Sequence, residues 1–194
     1  TSKAVTREGY FKVHKVEERY FFEIPDQFLG RDILVVNRIA KTQAGAGYGG
    51  DQIGQQVIRF EKGPKNKVFL RSVSYAVYSK DSTSPMFASV SNSNVQPIAA
   101  AFDIKAYTDD KKGTVIDMTD YISGDNDILF FNSGAKSQLK ISALQADKSY
   151  IADIKAFPLN IEIKTVKTYG RTQSPNAGAL SALLGALAGP TGHL

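Results

Sequence analysis

The chain offers few side chains that could bind a metal or attack a carbonyl. Its only histidines are His14 and His193, and it has no cysteine. Neither a three-His zinc site nor an H-E-x-x-H pair can be assembled from it. Thiol nucleophiles, Cys-ligated zinc, iron–sulfur clusters and disulfides are excluded together. His14 stands between Lys12 and Lys15 in an alternating stretch and reads as an ordinary edge or surface histidine. Ser133-Gly-Ala-Lys136 and Ser137-Gln-Leu-Lys140 fit S-x-x-K, where a lysine assists deprotonation of a serine nucleophile. The S-D-N and K-T-G companions are missing, as is a G-x-S-x-G elbow, so both serines read as parts of a polar loop. Asp125, Asn126 and Asp127 could offer oxygens to calcium but lack the spacing and distal Glu of an EF-hand loop, and a turn explains them. Nothing points to paired carboxylates for glycoside hydrolysis, although such partners can be distant in sequence.

Gly45, Gly47 and Gly50 match G-x-G-x-x-G, the spacing that lets backbone approach a pyrophosphate at a helix N-terminus. The residues that follow, Asp51 to Phe60, continue as a strand pattern, and no acidic residue stands about twenty positions on to hold a ribose. Gly45, Gly47, Tyr48, Gly49 and Gly50 are therefore read as a flexible loop, the one candidate functional loop of the chain, with Tyr48 at its tip placed to stack on a ligand. No catalytic, cofactor-binding or metal-ligating residue is assigned.

The elements that must carry these residues are mainly strands. Two-residue alternation runs through Phe11 and Val13, then Tyr20, Phe22 and Ile24, then Ile33, Val35 and Ile39. Glu17-Glu18 reads as a hairpin tip, and Pro25 to Gly30 as a short helical turn ended by a left-handed glycine. Gln55–Glu61 and Val68–Tyr78 flank a hairpin turn at Lys62 to Asn66, and apolar residues on both faces of the second make it a central strand. Ser84-Pro85 predicts a short helix to Val90. Ile98–Tyr107 and Thr114–Asp117 form another hairpin, with Gly113 placed for a positive φ. Ile128–Phe131 and Leu139–Leu144 read as short strands. Asp147 reads as the cap of a helix from Lys148 to Ala156, and Ile161–Thr168 as a last strand. Strands come in runs with occasional short helices, so the expected fold is α+β, mainly antiparallel β, built of hairpins and a meander under a few short covering helices.

Three segments are expected: a lead-in at 1–8, a β-rich accessory domain at 9–170, and a Gly/Ala/Leu-rich linker or truncated tail at 171–194. Hydrophobic residues at 42% and charged residues at 22% describe a packed domain. The net charge of +5 is dispersed, with Arg59, Glu61 and Lys62 typical of the alternation, so no nucleic-acid partner is expected. No stretch reaches the ~18 apolar residues of a membrane span. The chain begins at Thr1 without a charged-then-apolar leader, which reads as a processed product or an excised piece.

One stretch carries a resemblance. Gly9-Tyr-Phe-Lys-Val-His-Lys-Val, followed by Tyr20-Phe-Phe-Glu-Ile-Pro-Asp-Gln-Phe-Leu-Gly-Arg-Asp-Ile-Leu-Val-Val-Asn-Arg-Ile39, resembles an uncharacterised N-terminal domain of bacterial zinc-dependent, metzincin-like metalloproteases. The likeness continues through Gln56–Glu61, Val68–Tyr75, Pro97–Phe102, Lys148–Ala152 and Asn160–Ile163. It implies an exported protein, periplasmic or at the cell surface, whose zinc and H-E-x-x-H lie in a downstream catalytic domain. That domain would be this chain's partner, and the chain itself would hold no cofactor and be no enzyme. The alternative is a free-standing binding module for a glycan or another anionic or polymeric ligand.

Overall fold

The computed structural model describes residues 4–41, 49–74, 95–138 and 140–171. Alternation in the sequence becomes strands β1 (Val5–Arg7), β2 (Lys12–Val16), β3 (Arg19–Pro25), β4 (Asp32–Arg38), β5 (Gln52–Gly63), β6 (Lys67–Val73), β7 (Ile98–Tyr107) and β8 (Gly113–Asp117). Helices α1 (Thr119–Ser123) and α2 (Ser133–Gln138) follow, then β9 (Ile141–Leu144), β10 (Tyr150–Ala156), β11 (Ile161–Val166) and β12 (Tyr169–Arg171). The first eight strands form one antiparallel sheet in the order β1-β2-β3-β8-β7-β6-β5-β4, while β10 pairs with β11 and β12 with β9. The fold is thus mainly antiparallel β with two short helices.

The sheet has to curl. In a flat sheet β3 and β4 would lie ~24 Å apart, at ~4.8 Å per strand. The link from Pro25 to Asp32 spans seven residue steps, and with the 3₁₀ turn at Asp26–Phe28 rising only ~2 Å per residue it reaches about 20 Å. Contacts across the curl agree with this. The Phe11 ring, before β2, meets the Phe60 ring of β5 edge-on with centroids 6.0 Å apart. Gly30, at φ +78°, gives its N–H to the Phe60 carbonyl at 2.7 Å. Inside the curl lie Val13, Ile24, Val68, Leu70 and Ile116, each almost wholly buried. Such side chains contribute about 1.5–3 kcal/mol apiece.

Elements outside the sheet close the curl. Ile122 of α1, Ile128 and Ile154 of β10 enter the same core as the sheet residues. The β10–β11 hairpin is seated by Tyr10 N–H to the Phe157 carbonyl at 2.7 Å, and by Arg7, which reaches Asp153 at 2.6 Å and the Ile154 carbonyl. Gly9 permits this approach, since a Cβ there would stand 2.6 Å from the Phe157 nitrogen. No helix among the described residues is long and apolar enough to cross a membrane.

Several sequence expectations change. Lys148–Ala156 is not a helix: a 3₁₀ turn at Ala146–Lys148 leads into β10. The register shift between Ile151 and Asp153 is a bulge that brings Ile151 and Ile154, three apart, towards one side and imitates helical spacing. Ile128–Phe131 forms bends rather than a strand, and the serines of the S-x-x-K pairs lie on α2 rather than in a loop. The positive φ of the β7–β8 turn belongs to Lys111, at 57°. Gly113 serves instead by being small, as a Cβ would meet Thr108 Cγ2 at 2.7 Å. The helix expected at Ser84–Val90 and the tail from 172 lie outside the described residues.

Candidate functional site

Of the loop singled out in the sequence, Gly45, Gly47 and Tyr48 lie outside the described residues. Gly49 and Gly50 are exposed and turn β4 back into β5. Gly50 donates to the Ile39 carbonyl at 2.6 Å with φ +98°, in the left-handed region that favours glycine. At Gly49 a Cβ would come within 2.9 Å of the Ala40 carbonyl oxygen. The turn leads into a strand, so these two glycines form a hairpin connection and not the strand-to-helix cradle of a phosphate site.

One group of interacting charges lies between α1, α2 and β12. Asn126 opens it by using both ends of its amide on backbone: Nδ2 donates to the Tyr121 carbonyl at 2.7 Å, and Oδ1 accepts from Leu129 N–H at 2.8 Å. That turn presents Asp125 and Asp127 towards α2, where Lys136 Nζ meets them at 2.7 and 3.2 Å. Tyr169 of β12 donates its hydroxyl to Asp125 at 2.8 Å and stacks on Phe130 with centroids 5.1 Å apart and planes 7° from parallel. Lys167, between β11 and β12, donates to the Gly124 carbonyl, with the Ser123 carbonyl 3.5 Å away, and stands 5.6 Å over the Phe130 ring.

The two lysines move in opposite directions. Burial works against the Lys136 charge, but hydrogen bonds to Asp125 and Asp127 outweigh it and raise its pKa. A lysine held as ammonium cannot act as the base that the Ser133–Lys136 spacing would need. For Lys167, burial is the main cause, opposed by Asp125 and aided by Lys136, and it pushes the amine down to about 8. Burial also drives the Tyr121 phenol up to about 12 and raises that of Tyr169, which Asp125 raises further. The Asp125 carboxyl is itself held low: its hydrogen bonds from Lys136 and Tyr169 overcome the opposing cost of burial. Chemically, the cluster is a set of matched donors and acceptors that fastens β12 and the 125–131 turn to the helices. The oxygens of Asp125 and Asp127 face an ammonium, which stands where a cation would.

A second constellation was not foreseen. Thr6 Oγ1 lies 2.8 Å from His14 Nδ1, and Glu23 Oε2 lies 2.9 Å from His14 Nε2. Lys12 also meets Glu23, at 3.2 Å. His14 is therefore not on an edge strand, because β1 covers β2 on its outer side. The hydroxyl–imidazole–carboxylate order resembles that of nucleophilic catalysis. Registry alone also produces it: Thr6 faces His14 directly across β1–β2, and Lys12 faces Glu23 across β2–β3, one step along the same face. Only the recognition of Val5–Arg7 as a strand could have brought Thr6 to His14, and its three residues give too short an alternation to read. Glu23 also borders a groove with Lys12, Asp26, Tyr107, Asp110 and Val115. Among the described residues, no three His, Asp or Glu side chains converge to hold a metal.

Comparison with known families places two on the chain. The sequence profile described as Domain of unknown function (DUF5117) matches residues 50–185, and that described as Domain of unknown function (DUF5118) matches residues 1–42. No curated protein and no solved structure matches the chain.

Proposed function

The chain belongs to the DUF5117 family of domains of unknown function, preceded by a DUF5118 segment. We propose, from the resemblance carried by its sequence and not from these two matches, that it is a non-catalytic accessory domain of an exported bacterial zinc metalloprotease. On this reading it packs on, or assists, a catalytic domain further along the same polypeptide, and that domain supplies the zinc. The observation that carries the proposal is the ordered likeness of the Gly9–Ile39 block and its later continuations to the N-terminal region of such proteases.

The use made of the chemistry-bearing side chains supports a structural role. Lys136 neutralises Asp125 and Asp127, and Glu23 holds Lys12 and His14 across neighbouring strands. On the outer face Asp32, Arg59, Glu61 and Arg71 form a chain of ion pairs over β4, β5 and β6. These groups serve cohesion, which suits a scaffold that presents a surface to a neighbour.

The two family profiles also divide one sheet between them. The DUF5118 segment provides β1, β2 and β3 at one end and β4 at the other, and the DUF5117 segment provides the four strands between. An accessory unit here is therefore both segments together.

The test is to produce the 194-residue chain and the downstream part of its parent polypeptide separately, then measure their association and the proteolytic activity at matched zinc, with and without the chain. Association or a changed rate is expected. A chain that ignores the protease and instead binds a glycan or another polymer would point to an independent binding module and end this reading.

A further inference from the structure

The two edges of the large sheet are guarded differently. β1 is three residues long, and its Arg7 is tied to Asp153 and Ile154 of the neighbouring hairpin. β4 is seven residues long and, among the described residues, pairs with β5 alone. It has no proline or lysine along its length. The register changes from Asn37↔Gly54 to Arg38↔Gln52, so the extra residue of the irregularity is Ile53 on β5 and not a residue of β4. Leu34 and Val36, 61% and 42% exposed, project from its outer face. Edges of this length with exposed apolar residues and no bulged residue of their own invite another strand.

The order of residues along β4 selects the partner. It reads Asp32-Ile-Leu-Val-Val-Asn-Arg38, with an acid at one end, a base at the other and apolar residues between. An antiparallel copy centred on Val35 sets Asp32 opposite Arg38 at both ends. It also sets Leu34 opposite Val36 twice and Val35 opposite its own copy. Sliding the copy by two residues breaks both charge pairs and leaves an apolar residue facing Asp32 or Arg38. We propose that a second copy of this chain adds to β4 edge to edge, so that the sheet continues through a two-fold axis at Val35 into a dimer. Asp32 then lies between Arg59 of its own chain, at 2.6 Å, and Arg38 of the copy, which extends the outer-face chain of ion pairs across the junction.

The test is sedimentation of the 194-residue chain over a concentration series, with circular dichroism confirming that each variant is folded. A monomer–dimer equilibrium is expected. Arg38→Asp turns both end pairs repulsive and should weaken it about tenfold, at the usual strength of cross-strand charge pairs. Asp32→Lys should also weaken it, and mixing those two variants should restore association, because each then meets its complement. Val36→Lys should abolish the dimer. The chain has no cysteine of its own, so a mixture of Leu34→Cys and Val36→Cys chains should cross-link across the axis more readily than either alone. A monomer at every concentration overturns the proposal, as does a dimer indifferent to Arg38→Asp and Val36→Lys. Concentration-independent exchange protection of the β4 amides that point away from β5 also overturns it, by assigning the edge to another occupant.

Discussion

Lys167 provides a sharp test of how the polar cluster is built. Its amine is pushed from 10.5 to about 8, chiefly by burial against Phe130 and the end of α1. Between those two pH values the unfolded chain binds more protons than the folded one, so stability rises with pH across that window. A shift of that size converts to ~3.4 kcal/mol at ~1.36 kcal/mol per unit. Because the side chain is only about half buried, solvent screening reduces this to about 1–2 kcal/mol. Lys167→Met removes the titration. Urea unfolding followed by far-UV circular dichroism should therefore show wild type gaining roughly 1 kcal/mol on the variant between pH 7 and about 9.5, a little over half of the full effect. Above pH 10 the raised Tyr121 and Tyr169 act in the opposite sense, since stability that depends on neutral phenols is lost as they ionise. Their effect is common to both proteins and cancels in the difference. A difference that is flat, or falls with pH, refutes the claim that burial outweighs Asp125 at this lysine.

The other predictions concern how outlying elements are held. Ile154→Ala empties a fully buried position on β10 and should cost about 2–5 kcal/mol, read as a lower urea midpoint. Gly9→Ala drives a methyl into Phe157 backbone and should cost about 1–3 kcal/mol; faster exchange at the Tyr10 amide would show that the hairpin has lifted. Asp125→Asn should destabilise at neutral pH. Because the Asp125 carboxyl is held below its usual range, that penalty should vanish as pH falls through the folded pKa, which an acid titration of both proteins would show.

Much of the sheet was legible because burial on one face writes a period of two. Phe11, Val13, Tyr20, Phe22 and Ile24 alternate in sequence and all enter the core. The turn at Pro64–Asn66 was equally plain, although the left-handed conformations fall on Lys65 and Asn66. β10 misled because its bulge gives two isoleucines a helical interval. β1 escaped notice because three exposed residues carry no burial pattern. The polar cluster was half visible: Asp125-Asn126-Asp127 announced a turn, but its cation comes from α2 and its phenol from β12, and no local pattern encodes such meetings. Strand order could not be read either, since nothing local says that β4 must cross to the far edge.

That crossing has a consequence for how the protein comes into being. As the chain is made from its N-terminus, β2 can fold on β3 at once, but the far side of β3 waits for β8, with Phe22 opposite Ile116. β4 meanwhile finds no strand until β5 emerges, and the middle of the sheet closes only when β7 and β8 have appeared. At ~5–20 residues per second of synthesis this delay lasts several seconds. Contacts so distant along the chain also make the final closure slow. A nascent chain of this topology stays threadable until Asp117 has been made, and shortening it at the boundary between its two families would leave each fragment with raw strand edges and only part of a core.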